Sequence, residues 1–167
     1  MEWINEKAKT LSQGAIRAMF DRANKMTDVI SLGIGEPDMT TPKEICDAAK
    51  QALDLGYTHY TPNAGLPVLR KAIAEKSYIK GLHYDPTKEI IITNGGMGAL
   101  SLLFLVLLNE GDEILIPSPD YPLWTATATL AGGKVVHYVC DEQAEWYPDM
   151  DDIKKKITDR TKAIVLI

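Results

Sequence analysis

From residue 89 onward the chain alternates short apolar runs with segments of helical spacing. The apolar runs, rich in isoleucine and valine, occupy residues 89–93, 112–116, 134–139 and 161–167. Helices are predicted between them, over residues 98–108, 124–131 and 150–157. Continuous apolar runs of this length are typical of parallel strands that helices cover on both faces. The pattern therefore predicts an α/β fold, a three-layer sandwich around a mainly parallel sheet.

The first 88 residues are predicted to be mainly helical. Apolar residues recur at helical spacing over 10–26, and a short strand is predicted at 29–32. A helix is expected to begin near Pro42 with Thr41 as its N-cap, and another to span 66–80. An N-terminal helical segment therefore precedes the alternating region.

Composition and charge argue against several classes of partner. The chain has 167 residues, 46% of them apolar, and a formal net charge of -5. A nucleic-acid partner is not expected, because binding to phosphate backbones requires clustered cationic charge. The longest apolar run, residues 99–108, is far shorter than the roughly 20 residues that cross a bilayer, so no membrane association is expected. Charges in the opening MEWINEKAKT replace the apolar core of a signal peptide, which predicts a cytoplasmic location.

The cysteines and histidines do not form a recognisable metal or nucleophile motif. Cys46 and Cys140 are far apart in the sequence and are interpreted as free thiols. The histidines, His59, His83 and His137, lack the spacing of metal ligands, and no Gly-x-Ser-x-Gly sequence occurs. No metal site is predicted, and hydrolase and metalloenzyme functions are disfavoured.

A glycine-rich turn, Gly95-Gly96-Met97-Gly98, links the run at 89–93 to the apolar helix. Ligands of open parallel sheets gather beyond the carboxyl ends of the strands, and N–H groups at a helix start suit a phosphate. The alternative is that these glycines only permit a tight turn. There is no Walker-type sequence, and Gly33-Ile34-Gly35 is followed by Glu36-Pro37 rather than by a third glycine. Walker and dinucleotide-binding motifs therefore fit poorly.

Aromatic residues follow the next predicted strand. Three prolines stiffen the loop over residues 117–122, which contains Tyr121 and precedes Trp124, and an aromatic ring there is suited to stacking on a flat cofactor. The alternative is that both rings are packing residues. Gly35 also follows a predicted strand, where a backbone without a side chain can approach a small carboxylate closely.

Several blocks together resemble class I/II aminotransferases, the fold-type I group that includes aspartate and alanine aminotransferases. They are SLGIGEPDMTTP, HYTPNAGLPVLRKAI, ITNGGMGAL, NEGDEILIPSPDYPLW and ITDRTKAIVLI. The stretch PSPDYPLWTATATLAGGKVVHYVCDE is particularly similar to bacterial alanine (glutamate-pyruvate) aminotransferases. The resemblance implies pyridoxal 5′-phosphate as cofactor and transfer of an amino group from an amino acid to a 2-oxo acid. It also implies a homodimer.

The resemblance assigns roles to residues of the sheet region. It implies that Gly96 and Met97 present backbone N–H groups to the cofactor phosphate, with Gly95 beside them at the same site. Tyr121 matches the aromatic residue that stacks on the pyridine ring. The cofactor-binding set predicted in this region is therefore Gly95, Gly96, Met97 and Tyr121.

Two further roles fall in the first half of the chain. Gly35 matches the glycine whose backbone meets the substrate α-carboxylate. Tyr60 matches a tyrosine that reaches the phosphate bound in the partner subunit. By the same resemblance, residues 1–32 are expected to form an arm or small-domain segment, and residues 33–167 an incomplete cofactor-binding large domain.

The family's Asn-Pro-x-x-Pro-x-Gly block is expected to follow Ile167, and the Schiff-base lysine lies beyond it. No catalytic residue is therefore assigned within these residues, and the chain alone is expected to be inactive. Lys88, Lys134 and Lys162 each precede a predicted strand and are expected at the amino-terminal edge of the sheet, opposite the ligand edge. Two alternatives stay open: a cofactor-dependent lyase or synthase of the same fold, and a non-catalytic truncated binding module.

Overall fold

The computed structural model describes residues 3–11, 15–30, 32–33 and 35–167, without the side chains of 15–17. The chain divides into two compact units, one of Met1–Gly14 with Thr93–Ile167 and the other of Ala15–Ile92. The predicted arm over 1–32 and large domain over 33–167 are domains of the whole protein, and they stay a prediction.

The first unit contains a parallel sheet of three strands. They are β1 (Glu113–Ser118), β2 (Lys134–Val139) and β3 (Thr161–Ile164), in the order β2-β1-β3. Its helices are α1 (Glu6–Lys9), α5 (Gly95–Leu107), α6 (Pro122–Leu130) and α7 (Met150–Lys156), with a 3₁₀ turn at Glu142–Ala144. The predicted α/β class and parallel sheet are confirmed.

Helices cover the central strand β1 on both faces. Ile114 and Ile116 are fully buried in a cluster with Phe104 of α5 and Ala128 of α6. The intervening Leu115 is fully buried in a second cluster, with Ile153 of α7 and Tyr138 of β2. Alternate side chains of a strand point to opposite faces, so these two clusters are the two interfaces of a three-layer sandwich.

The apolar helix α5 is only partly buried. Phe104 is 1% exposed and Leu108, at its end, 6%, whereas Leu105 and Val106 are 65% and 82% exposed. The helix begins at Gly95, three residues before its predicted start. The glycine-rich segment therefore forms the first turn of α5 and not a loop that precedes it.

Two predicted strands are not found. Residues 89–93 form no strand, and the N–H of Ile92 donates to the carbonyl oxygen of Ala64 at 3.1 Å. Residues 29–30 and 32 are also not in a strand, while Ser31 lies outside the described residues. A strand forms only where a neighbouring strand provides hydrogen-bond partners. An apolar run in the sequence predicts burial but does not show that such a neighbour is present.

The described residues of the second unit form three helices. They are α2 (Ala15–Ala23), α3 (Lys43–Asp54) and α4 (Pro67–Tyr78). Residues 12–14 of the helix predicted at 10–26 lie outside the described residues. The N-cap of α3 is Pro42, without a side-chain bond, so the prediction of Thr41 as its cap is wrong. Every buried hydrophobic residue of the described chain lies outside this unit.

The two ends of the sheet differ in chemistry. At the amino-terminal edge, the carboxylate of Glu113, 2% exposed as a residue, accepts from Thr158 Oγ1 at 2.6 Å and Lys134 Nζ at 2.9 Å. Arg160 Nη2 lies 3.2 Å from the same carboxylate, and Lys162 Nζ lies 3.8 Å from Asp112. Lys134 and Lys162 therefore occupy the edge predicted for them, where they form ion pairs. The prediction for Lys88 is wrong, because residues 89–93 form no strand after it.

The outer edge of β2 is covered by side chains of α7. Asp152 Oδ2 accepts from the Val139 N–H at 2.9 Å, and Lys156 Nζ donates to the His137 carbonyl oxygen at 2.6 Å. Lys156 and Asp152 also pair with each other at 2.7 Å. Occupying the backbone groups of an edge strand in this way disfavours its pairing with another chain.

Replacing Tyr138 with phenylalanine tests the buried hydrogen bond to Val165, the residue that follows β3. Tyr138 is 1% exposed, and its hydroxyl donates to the Val165 carbonyl oxygen at 2.6 Å. Tyr138→Phe is expected to lower the free energy of unfolding by about 1–3 kcal/mol, because the buried carbonyl loses its partner. Urea unfolding measures the change. Tyr147→Phe, at a 70% exposed tyrosine, is the control and is expected to change little.

Glu113→Gln tests the ionic network through its dependence on pH. The Thr158 hydroxyl and Lys134 hold the pKa of the Glu113 carboxyl below its ordinary value of 4.5, although burial opposes them. A lowered folded-state pKa gives stability that is present above pH 4.5 and is lost as the pH falls through the folded value. The variant is expected to be less stable at pH 7 and to approach the parent in acid.

Urea unfolding at a series of pH values from neutral to acid measures that convergence. Glu110→Gln, at an exposed carboxylate close in sequence, is the control and is expected to follow the parent at every pH. A loss in Glu113→Gln that stays constant down to the most acidic pH would contradict the assignment.

Candidate cofactor site

The candidate site lies at the carboxyl end of the sheet in the first unit. Only residues 108–112 connect α5 to β1, and α5 packs on a face of that strand. This short connection places the end of α5 near the start of β1, so the helix start lies toward the opposite edge. The helix α6 starts a few residues after β1 ends, at that same edge. The first turns of both helices therefore lie at the edge where parallel sheets bind ligands.

The first turn of α5 provides an open, side-chain-free cradle. Gly95 has φ +68°, a left-handed conformation that glycine adopts without strain. Among the described residues, no atom lies within 4 Å of where a Cβ would stand at Gly95 or at Gly96. The Gly95 carbonyl oxygen accepts from Thr93 Oγ1 at 2.9 Å, which holds the turn.

Backbone donors in this turn are suited to an anion. The N–H groups of a helix's first turn have no acceptor within the helix, and the helix dipole adds positive potential there. Gly96 is exposed and Met97 is half-buried, so neither residue is enclosed in the core. The predicted residues Gly95, Gly96 and Met97 thus lie together at a site that fits a phosphate.

Tyr121 is held at the start of α6 with its ring accessible. It is the N-cap residue, at φ -79° and ψ 117°, and its side chain makes no capping bond to the helix. The following Pro122 restricts Tyr121 to this extended region. The residue is 53% exposed, which leaves its ring available to stack on a planar group.

Trp124 has a different role from Tyr121. Its ring packs against Phe104 of α5, with centroids 6.3 Å apart and planes tilted by 53°. It is half-buried at the edge of the core cluster. Of the two aromatic residues predicted near this edge, Trp124 is a packing residue and Tyr121 is the stacking candidate.

A hydrogen bond beside Tyr121 was not predicted from the sequence. Thr125 Oγ1 donates to Asp120 Oδ2 at 2.8 Å, which spans the start of α6. His137 Nε2 lies 3.5 Å from the same Thr125 oxygen, and His137 Nδ1 lies 3.4 Å from the Pro117 carbonyl oxygen. The sequence signal that could have predicted this bond is the spacing of Asp120, just before the helix, and Thr125, within it.

The other two predicted site residues belong to the second unit. The Tyr60 side chain is fully exposed. Gly35 is also exposed, and no described atom lies within 4 Å of its would-be Cβ. Since residues 29–30 and 32 form no strand, Gly35 does not follow a strand end as predicted. Both residues are open to a ligand or to another chain.

Neither a metal-ligand cluster nor a membrane-spanning helix is found among the described residues. Within residues 3–11, 15–30, 32–33 and 35–167, no three side chains of His, Cys, Asp or Glu cluster as metal ligands. No helix in the same part of the chain is both long and apolar enough to span a membrane. The fold and site thus define an α/β protein with an anion cradle and an exposed aromatic ring at one sheet edge.

Comparison with known proteins identifies the family. Residues 27–167 match the family described as aminotransferase class I and II. An aspartate aminotransferase of Pyrococcus abyssi is 43% identical over 98% of this chain. A glutamate-pyruvate aminotransferase of Escherichia coli is 42% identical over 83% of it. The chain therefore belongs to the class I and II aminotransferases, whose members depend on pyridoxal phosphate.

Solved structures agree with this family and with its fold. The aspartate aminotransferase from Thermus thermophilus with maleate superposes with a TM-score of 0.92 and 35% identity, over 99% of this chain and 44% of its own. An alanine aminotransferase from Pyrococcus furiosus gives 0.89 and 40%, over 96% of this chain. The chain spans about 42% of the length of the Pyrococcus abyssi relative.

Gly95→Ala and Gly96→Ala test whether backbone conformation limits substitution in the cradle, since both positions have space for a Cβ and only Gly95 has a left-handed φ. Gly95→Ala is expected to lower the free energy of unfolding by about 1–3 kcal/mol, because alanine must adopt the left-handed φ. Gly96 lies outside that region. Its alanine variant is expected to be neutral or up to about 1 kcal/mol more stable. Urea unfolding compares the two, and equal losses would contradict the described backbone.

Proposed function

We propose that the full-length protein is a pyridoxal-phosphate-dependent aminotransferase that moves an amino group from an amino acid to a 2-oxo acid. The observation that carries this proposal is the pairing of the glycine cradle of α5 with the exposed Tyr121 ring at one sheet edge. A cofactor that carries a phosphate on a flat aromatic ring is suited to these two features, because the cradle can bind the phosphate and Tyr121 can stack on the ring. Family membership agrees with this combination.

The first-turn N–H groups of Gly96 and Met97 hold the phosphate, and Gly95 lets the backbone turn there without a side chain. Tyr121 stacks on the pyridine ring and limits its tilt, which orients the substrate bonds that must break. When bound, the cofactor supplies an electron sink for the charge that develops on the substrate carbon. This chain's residues bind and orient the cofactor, and the lysine that moves the proton belongs to another part of the full-length protein.

The second unit contributes to substrate and subunit contacts in this proposal. Gly35 meets the substrate α-carboxylate through its backbone, and Tyr60 reaches the phosphate bound in a partner subunit. The full exposure of Tyr60 favours contact with another chain. The proposed active unit is accordingly a homodimer, and its cytoplasmic location stays a prediction from the sequence.

The substrates are proposed as a class and not as one pair. An aspartate aminotransferase and a glutamate-pyruvate aminotransferase have nearly the same sequence identity to this chain, 43% and 42%. We therefore expect an amino acid as donor and a 2-oxo acid as acceptor, without restricting the side chain of the donor. None of the residues assigned here distinguishes among these pairs, because they contact the cofactor or the α-carboxylate that all such substrates share.

The test uses full-length protein with pyridoxal phosphate, aspartate, alanine or glutamate, and a 2-oxo acid acceptor. Amino-acid and oxo-acid products are followed by NMR, together with free ammonia. Transfer that requires the acceptor is expected. Ammonia and oxo acid formed without an acceptor would instead indicate a lyase, and no cofactor binding by the full-length protein would indicate a non-catalytic module.

Tyr121→Ala is the matched site variant, with Tyr121→Phe as its control. Loss of the ring is expected to weaken cofactor binding about 3- to 10-fold, because the stacking surface is lost. Phenylalanine keeps that surface and is expected to bind within about 2-fold of the parent. Quenching of protein fluorescence on cofactor addition measures the affinity. Equal binding by the alanine variant would contradict the stacking role.

A further inference from the structure

We propose that Asp120 and Thr125 are positioning residues for Tyr121, whose hydrogen bond sets the ring for stacking on the cofactor. The inference rests on the proposed function, which it deepens. Neither residue was among those predicted from the sequence or implied by the family resemblance.

The hydrogen bond closes a short loop of chain around Tyr121. Asp120 immediately precedes the N-cap, and Thr125 lies in the second turn of α6. The Thr125 hydroxyl donates to Asp120 Oδ2 at 2.8 Å, an ordinary distance for a bond between a hydroxyl and a carboxylate. Tyr121 lies between the bonded residues, so the bond restrains the backbone on the amino-terminal side of the ring.

The carboxyl-terminal side of Tyr121 is restrained separately. Its carbonyl oxygen accepts from the Trp124 N–H at 3.0 Å, and Pro122 limits its backbone conformation. The side chain has no capping role that would tie it to the helix. The backbone sets the direction in which the Tyr121 side chain leaves the chain, and the Asp120–Thr125 bond is a side-chain contact that restrains that backbone from before the helix.

The surroundings of the bond favour its persistence. Asp120 and Thr125 are both half-buried, which shields their bond from competing water. A carboxylate beside a helix amino terminus is also stabilised by the helix dipole. The His137 ring approaches Thr125 Oγ1 and the Pro117 carbonyl at 3.5 and 3.4 Å. Both distances are at the outer limit for hydrogen bonds, so the positioning role is assigned to the shorter contact.

Thr125→Val and Thr125→Ser form the central comparison in full-length protein. Valine keeps the shape of threonine and removes the donor, whereas serine keeps the hydroxyl. Thr125→Val is expected to weaken pyridoxal-phosphate binding about 3- to 10-fold, the usual consequence of one lost hydrogen bond. It is also expected to reduce the visible circular dichroism of the bound cofactor, which reports ring orientation. Thr125→Ser is expected to restore both within about 2-fold.

A double-mutant cycle with Tyr121→Ala separates positioning from general stability. If Thr125 acts through Tyr121, the effect of Thr125→Val on affinity disappears when the ring is already absent. An undiminished effect in that background would overturn the inference. Should Thr125→Val fail to fold, Asp120→Ala replaces it in the same cycle, because it removes the acceptor of the same bond.

The outcomes distinguish this inference from the proposed function. Parent protein that binds the cofactor, with Thr125→Val equal to it in affinity and dichroism, overturns the positioning role and leaves the proposed function standing. Parent protein that does not bind the cofactor overturns both. Loss in Thr125→Val, restoration in Thr125→Ser and loss of the effect without Tyr121 together support the inference.

Discussion

Burial of the central strand β1 on both of its faces organises the sheet-containing unit. Its residues Ile114, Leu115 and Ile116 are fully buried, and they alternate between two hydrophobic clusters. A strand buried in this way requires helices above and below it. The helices α5 and α6 must then pack on one face and begin at the carboxyl edge, where their first turns create the anion cradle and present Tyr121.

The polar groups are distributed according to the same constraint. At the amino-terminal edge, the buried Glu113 carboxylate accepts hydrogen bonds from three side chains, those of Thr158, Lys134 and Arg160. The opposite edge keeps backbone donors and an exposed ring free of such partners among the described residues. The ionic network and the candidate ligand site therefore lie at opposite ends of one sheet, and ligands of parallel α/β proteins usually bind at the carboxyl end.

Local sequence signals named the residues of the candidate site but not the contacts that support them. Glycine frees the backbone at 95 and 96, and Pro122 restricts the backbone of Tyr121 before it. Both effects are local, so they can be inferred from the sequence. The division of work between Tyr121 and Trp124 was not readable, because it depends on Phe104 from another helix. The Asp120–Thr125 bond likewise requires the actual path of the chain into α6.

The sequence by itself determined the α/β class, the strands β1, β2 and β3, the helices between them and the family. Hydrophobic periodicity and glycine or proline chemistry act within a few residues, so no distant contact is needed to interpret them. Only the tertiary structure decided that residues 89–93 form no strand here, that α7 covers the edge of β2, and that Glu113 is buried in an ionic network. These features depend on partners distant in sequence, whose positions follow from packing rather than from local pattern.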